Sequence, residues 1–456
     1  MRRAVNMYDN LIKIKDVLFL EPLNQGEIAA RVELSQPQVS NYLRNNPDVF
    51  LKTGSARATR YYLRRVVFGE HSWPGYRVTA QGNAEHFADL NCVYPSGFVT
   101  YLHKTHTWEH HDSLPWWMAD MRPQGFMGRS LARQLSAEMP DLAPDPRDWS
   151  DLDTLRMLTT HPQDGIGNLL IGRTAYELWL NETTPTVVQQ ADLPQLAEHA
   201  MAGWFGGSSA GGEQPKFACC LTQAGNHCLV KFTAPLTATN ANATRWADLL
   251  VAEHTALTIL HNAGVPAACS ELVRLEQNGT TRQFLIVQRF DREGTGGRRG
   301  IVSLRMLDAE FVGCHSQRWP VIAAQLAAQN VIKTEDLPAI QLLFCFGRLI
   351  ANSDMHAGNL SFLHEGSRPL GLAPAYDMLP MAYAPNSNGD MRQGEAPLTI
   401  DSDQDGAIWR QALTLALLFW ETLAAQPDLS AAFRAIAQQM QAHLRGEVTQ
   451  KIMRMA

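Results

Sequence analysis

The chain contains no run of about 18 apolar residues, the length a helix needs to cross a bilayer. It contains no C-x-x-C pair either, and its seven cysteines stand at 92, 219, 220, 228, 269, 314 and 345. An odd, scattered set argues against a disulfide framework or a zinc ribbon and fits a reducing compartment. The opening M-R-R-A-V-N-M-Y-D-N turns polar too early for a secretory h-region. The expectation is therefore a cytoplasmic protein without a membrane partner. Internal repeats and low-complexity stretches are missing. Charge is sparse: 18% of 456 residues, with a net of −6. Hydrophobic residues make up 45%, which excludes a disordered chain. The length allows two to four domains of about 100–200 residues each. The charge is also uneven. Residues 1–70 carry 11 Lys and Arg against 7 Asp and Glu, a net of +4, so the remainder carries −10 (−6 minus +4).

The basic N-terminal stretch has helical spacing. Leu11, Ile14, Val17, Leu18 and Leu20 predict a helix from about Tyr8 to Leu20. Asn24 with Glu27 three residues on reads as the cap of a short second helix ending near Val32. Ser35 caps a third, with Pro37 in its first turn, where a missing N–H costs little. Val39 and Leu43 face inward. Gln36, Gln38, Asn41 and Arg44 face outward, with Ser40 beside them. Amide and guanidinium groups on such a face can read base edges in a major groove. Two short apolar strands around a Gly-Ser turn follow, ringed by Lys52, Arg57, Arg60, Arg64 and Arg65. This is the pattern of a winged helix-turn-helix whose basic wing holds phosphates, with DNA as partner and a homodimer expected for a palindromic site. A protein-interaction module with a solvated basic face is the alternative.

Residues 71–200 say least. His103, His106, His110 and His111 lie close together beside Glu109 and Asp112, but no ligand pair has a companion at recognisable spacing. A polar loop or hairpin is the better reading. Trp116, Trp117 and Met118 open an apolar segment, and a loop then leads into a helix. The G-I-G-N-L-L-I-G run at 165–172 misses the dinucleotide spacing and reads as a tight turn before a strand.

Chemistry begins at 203–217, G-W-F-G-G-S-S-A-G-G-E-Q-P-K-F. Small residues from Gly206 to Gly212 let backbone N–H groups approach phosphate oxygens. The order is not that of a Walker A loop. A β-hairpin follows, ending in Lys231, the place of a lysine that neutralises α- and β-phosphate charge. Glu253, on a strongly helical segment, is the candidate partner for Lys231. The strand F-L-I-V-Q-R-F-D-R at 284–292 has the position of an adenine hinge, with backbone contacts around Gln288, Arg289 and Phe290. Arg289, Asp291 and Arg292 could instead form a structural ion-pair cluster.

The segment from Ile350 to Asp377 carries an Asp, an Asn five positions later and a second Asp after a hairpin-like stretch. Phosphoryl transfer needs these groups in this order. Asp354 orients the attacking hydroxyl, while Asn359 and Asp377 hold magnesium, a hard cation that prefers oxygen ligands. A helix rich in Leu and Phe feeds this loop, and amphipathic helices from Ala407 onward complete a helical lobe.

Five motifs in sequence (S-S-A-G-G-E-Q-P-K, L-V-K-F, V-Q-R-F-D-R, N-S-D-M-H-A-G-N-L-S-F and A-P-A-Y-D-M) resemble those of the HipA-type serine/threonine kinases, the toxin kinases of bacterial toxin–antitoxin systems. The segment S-L-P-W-W-M-A-D-M-R-P-Q-G-F-M-G-R resembles the subdomain that precedes the kinase core in that family. The resemblance implies an α+β chain: a winged helix-turn-helix (1–70), a HipA-like N-terminal subdomain (71–200), a mixed β kinase N-lobe (201–292) and a helical C-lobe (293–456). It implies ATP and Mg2+, with Asp354 as catalytic base, His356 shaping the catalytic loop, and Asn359 and Asp377 as metal ligands. Nucleotide contacts fall on Ala210, Gly211, Gly212, Glu213, Gln214, Lys216, Lys231, Glu253, Gln288, Arg289, Phe290, Tyr376 and Asp377. Ser208 or Ser209 matches a serine that the family autophosphorylates. Two departures stand out: the loop spacing in G-G-E-Q-P-K, and Gln288 where Glu is common. In typical members the DNA-binding module is a separate antitoxin; here it is fused in front. The protein substrate is unidentified.

Rival readings are a transcriptional regulator whose kinase-like domain only senses a nucleotide, a metal-dependent nuclease using the same acidic residues, and a small-molecule kinase.

Overall fold

A computed structural model describes residues 2–162, 164–182, 186–203, 214–222 and 225–455. The helix expected from Tyr8 begins earlier, as α1 (Arg2–Leu20), followed by α2 (Gln25–Val32) and α3 (Gln36–Asn45). The caps explain these bounds. Glu27 N–H donates to Asn24 Oδ1 at 2.9 Å, and Asn24 N–H donates to Glu27 Oε2 at 2.7 Å. Ser35 is bonded in turn by the Gln38 side chain. A hairpin, β1 (Phe50–Thr53) and β2 (Arg60–Leu63), follows. Ile14, Leu18, Ile28, Val39, Leu43, Phe50 and Leu63 bury one small core. One wing residue departs from expectation. Arg64 is half-buried and donates to Asn91 Oδ1 at 2.6 Å and to Pro47 O at 3.0 Å, so it fastens the hairpin to the next sheet instead of facing a phosphate.

That sheet is antiparallel and is ordered β6-β5-β4-β3-β7, from β3 (Ser72–Val78), β4 (Ala84–Cys92), β5 (Phe98–Leu102), β6 (Thr107–His111) and β7 (Leu169–Ile171). The histidine-rich stretch is the β5–β6 hairpin, as expected. Helices α4 (Gly125–Glu138) and α5 (Asp151–Thr160) cover one face, where Trp73, Leu90, Trp117, Leu131 and Leu155 form a second core. α6 (Arg173–Asn181) and α7 (Leu193–Met201) follow. α7 packs Leu193, Ala197 and Ala200 against Phe217 and Val230 of the next sheet.

The second sheet, ordered β10-β11-β9-β8, comprises β8 (Lys216–Cys220), β9 (His227–Phe232), β10 (Ser270–Gln277) and β11 (Thr280–Gln288). The long α8 (Ala241–Asn262) lies against it and is buried nearly all round, which is how Glu253 becomes an interior residue. Two short strands, β12 (Arg292–Glu293) and β13 (Gly297–Arg298), lead to β14 (Ile301–Ser303) and α9 (Leu304–Leu307). The rest is mainly helical: α10 (Trp319–Ala328), α11 (Leu337–Leu349), the pair β15 (Ser361–Leu363) and β16 (Gly371–Leu372), then α12 (Gly406–Ala425), α13 (Ala431–His443) and α14 (Thr449–Met453). Trp319, Trp409, Trp420, Tyr383 and Phe346 sit in its core. Gly347 of α11 matters here. A Cβ at that position would lie 2.5 Å from Met355 Sδ and 3.3 Å from Met378 Sδ. Its bare backbone lets the neighbours of Asp354 and Asp377 pack on one helix. Among the described residues, no helix is long and apolar enough to cross a membrane.

Candidate active site

Strand alternation builds the first wall. Along β9, Cys228, Val230 and Phe232 point into the sheet's core. Leu229 and Lys231 therefore face the other way, into a cavity. The β8–β9 register sets Lys216 opposite Lys231 and Ala218 opposite Leu229, so a second buried lysine shares that face. Lys231 Nζ donates to Glu253 Oε1 at 2.6 Å and Oε2 at 2.8 Å, and also to Asp377 Oδ1. The lysine and the glutamate are 4% and 1% exposed. Burial acts to lower the Lys231 ammonium, but Asp377 and Glu253 outweigh it and hold it above its usual range. Burial likewise acts to raise Asp377, and Lys231 and Lys216 outweigh that and keep it ionised. Glu253 is raised by burial, with Lys231 offsetting part of the effect.

The second wall is the loop after α11. Asn352 Oδ1 accepts the Asp354 N–H at 3.1 Å, while its Nδ2 donates to Asp377 O at 3.3 Å. One amide thus ties the two aspartate segments together. Asp377 itself takes a positive φ of 51°, a strained conformation that such ties hold in place. Asn359 Nδ2 donates to Asp354 O at 2.8 Å. Its Oδ1 is the atom that could serve a cation. His356 Nδ1 accepts the Gly358 N–H at 3.0 Å, which puts the ring proton of the neutral form on Nε2, 4.0 Å from Asp354 Oδ1. Trp319 Nε1 donates to His356 O at 3.1 Å. The Asp354 side chain is half exposed, and burial raises its carboxyl, with His356 opposing and Asp377 reinforcing. A raised carboxylate is a better proton acceptor. Tyr376 points its hydroxyl at Gly358 O (2.9 Å) and Ser361 Oγ (2.7 Å), which makes it a strut beneath the loop.

The oxygens of Asp377, Asn359 and Asp354 are hard donors suited to a magnesium-like cation. Lys216 and Lys231 are placed to face anionic oxygens. Gln214, two residues before Lys216, has a buried Nε2 with no hydrogen-bond partner among the described residues. Ser208, Ser209, Ala210, Gly211, Gly212 and Glu213 lie outside the described residues.

At the hinge, the Gln288 and Arg289 N–H groups already donate to Cys269 O and His227 O, each at 2.8 Å. A planar ligand here would meet the chain at Phe290, whose ring lies 5.9 Å from that of Tyr376. The Arg289 side chain turns away into an ion-pair cluster. It donates to Asp291 at 2.8–2.9 Å and to Asp164 at 2.6 Å, while Arg292 meets the same Asp291 at 2.7 Å. The Gly167 N–H completes Asp291 at 2.9 Å. This clamp fixes the hinge to the 71–200 segment.

Several functional contacts had no role readable from the sequence. Asp120, half-buried before α4, accepts from Ser303 N–H at 2.6 Å and Oγ at 2.9 Å, and with Gln124 it lines the cavity from the middle segment. Burial raises the Asp120 carboxyl against those two bonds. Asn352 and Trp319 were equally silent: their role emerges only when segments far apart in sequence meet.

In the N-terminal part, Gln36, Gln38, Asn41, Arg44, Lys52, Arg57 and Arg60 are exposed and Ser40 is half-buried. Gln38 is occupied by the Ser35 cap, and Arg60 pairs with Glu27 at 3.0 Å.

Comparison with known proteins finds two family models, "YjjJ-like toxin, middle domain" over residues 69–180 and "HipA-like C-terminal domain" over 208–448. Toxin YjjJ of Escherichia coli (strain K12) is 39% identical over 451 residues, 97% of this chain and 99% of that protein. Among solved structures, HipA of the Shewanella oneidensis MR-1 toxin–antitoxin system, determined with HipB and operator DNA, matches at a TM-score of 0.48 and 14% identity, covering 83% of this chain and 99% of that one. The Helicobacter pylori proinflammatory kinase CtkA matches at 0.35 and 14%, covering 52% and 90%.

Proposed function

Because the chain belongs to the HipA-like toxin family, in its YjjJ-like branch, we propose that it is an ATP- and magnesium-dependent protein serine/threonine kinase with its own DNA-binding domain. The observation that carries this reading is the buried Lys231 held between Glu253 and Asp377, with Asp377 tied through Asn352 to the loop that holds Asp354 and Asn359. Lys231 and Lys216 hold the nucleotide phosphates, and Asn359 and Asp377 hold magnesium. When bound, magnesium supplies charge neutralisation at the phosphates. Asp354 orients the acceptor hydroxyl and takes its proton, and His356 holds the loop's shape. Catalysis is then mainly positioning and electrostatic stabilisation. The exposed Gln36, Asn41, Arg44, Lys52 and Arg57 support DNA binding by the N-terminal domain.

Incubation of the intact chain with Mg·ATP and peptide mapping by mass spectrometry tests the proposal. A phosphoryl group is expected on Ser208 or Ser209 in the wild type and is absent from Asp354→Asn. Strand cleavage of DNA without ATP, with no phosphopeptide, would favour a nuclease instead.

A further inference from the structure

The outer face of the five-stranded sheet, opposite α4 and α5, carries two imidazoles aimed at one carboxylate. His86 Nε2 lies 2.8 Å from Asp89 Oδ1, and His103 Nε2 lies 3.1 Å from Asp89 Oδ2. Within a regular strand His86 and Asp89, three apart, would point to opposite faces. A β-bulge prevents that. Tyr76 pairs with His86 but Gly75 pairs with Ala88, so Phe87 is an extra residue on β4. The Phe87 ring packs close over Gly75, where a Cβ would lie 3.2 Å from it. Asp89 is paired with Tyr101, and His103, two residues further, returns to the same face. The His103 backbone is anchored by its N–H to Phe87 O at 2.9 Å.

The ligand atoms of the three residues all lie within 4.8 Å of one another. Nitrogen and oxygen ligands at about 2.0–2.1 Å from a tetrahedral ion sit about 3.3 Å apart, so the 3.1 Å pair is close to that spacing and the 2.8 Å pair would open to admit an ion. Although His103 Nε2 is buried and near the carboxylate, it makes no well-formed hydrogen bond. Two rings brace the imidazoles: Tyr76 at 5.4 Å from His86, and Tyr101 edge-on at 5.1 Å from His103.

We propose that His86, Asp89 and His103 form a binding site for a divalent transition metal of the zinc class, with three protein ligands and a fourth position open to solvent. Imidazole with one carboxylate selects zinc, cobalt, nickel or copper over magnesium. The bound ion would staple the bulge of β4 to the β5–β6 turn. The same sheet face carries Val93 and Val99, which pack against Leu51 and Tyr62 of the N-terminal hairpin. The site is separate from the candidate active site and does not depend on its assignment.

The test is titration of the chelator-treated full chain with zinc, and with cobalt for its absorption spectrum, in excess magnesium. Wild type is expected to bind one zinc, with a nitrogen- and oxygen-ligand cobalt spectrum. His86→Ala and His103→Gln should each weaken binding by at least about tenfold, while His161→Ala, at the residue after α5, leaves it unchanged. Absence of binding to the wild type, equal binding by all variants, or a cobalt–thiolate band from cysteines such as Cys219 or Cys220 would overturn the proposal.

Discussion

Lys231 is the residue on which the site's electrostatics turn. It is one cation between two carboxylates, all largely withdrawn from water. Removing one partner from a buried ion cluster leaves the others uncompensated and costs roughly 3–5 kcal/mol. Lys231→Met should therefore lower unfolding stability by that order in denaturant titration, as well as abolishing phosphoryl transfer. A variant as stable as wild type would show that Glu253 and Asp377 are not held by this lysine. Much of this cluster was legible in the sequence. A lysine at the end of an apolar strand, a glutamate on a long helix and the D-x-H-x-x-N loop are local patterns with known chemistry. The partners that fix them were not legible. Asn352 and Asp120 lie within recognisable motifs and Trp319 in none, but none showed its role, because their hydrogen bonds join residues 25, 37 and 183 positions apart.

Among the elements, the hinge strand and the middle sheet carry the clearest tests. The cluster of Arg289, Arg292, Asp291 and Asp164 joins the end of β11 to the turn before β7. Asp291 is 4% exposed and accepts from both arginines. Asp291→Ala should cost about 3–5 kcal/mol in chemical denaturation and weaken nucleotide binding, because the hinge loses its anchor. Unchanged affinity and stability would argue against a clamp. On β6, burial and neighbouring His110 push the His111 imidazole down to about 4. Its folded value lies below the unfolded one, so the unfolded chain binds more protons between them. Stability should fall on acidification from about pH 6.5 toward 4, at roughly 1.4 kcal/mol per pH unit at most for one histidine. Denaturation at several pH values should show a shallower slope in His111→Gln; an identical slope would remove His111 from the account. The β5–β6 hairpin was readable from the sequence. The bulge at Phe87 was not, because an extra residue on one strand shows only against its partner.

Across the whole molecule, a small N-terminal core, a middle sheet and a cleft between a β-sheet and a helical region follow one another along the chain. The basic excess in residues 1–70 was plain from composition, but its distribution was not. Arg64 looked like part of the wing and instead bonds Asn91. Lys52, Arg57 and Arg44 remain exposed. Their triple alanine variant should bind DNA more weakly and with a flatter dependence on salt, the log–log slope falling by about 0.9 for every phosphate that is no longer neutralised. An unchanged slope would remove these three side chains from any DNA contact.

The central claim is that the cleft transfers a phosphoryl group. Its most direct test is the initial rate of label transfer from γ-labelled Mg·ATP by wild type and Asp354→Asn, with ATP affinity measured alongside. A loss of at least about 10²-fold in rate is expected, the usual contribution of a positioned base, with affinity nearly unchanged. Equal transfer rates in the two proteins would contradict it.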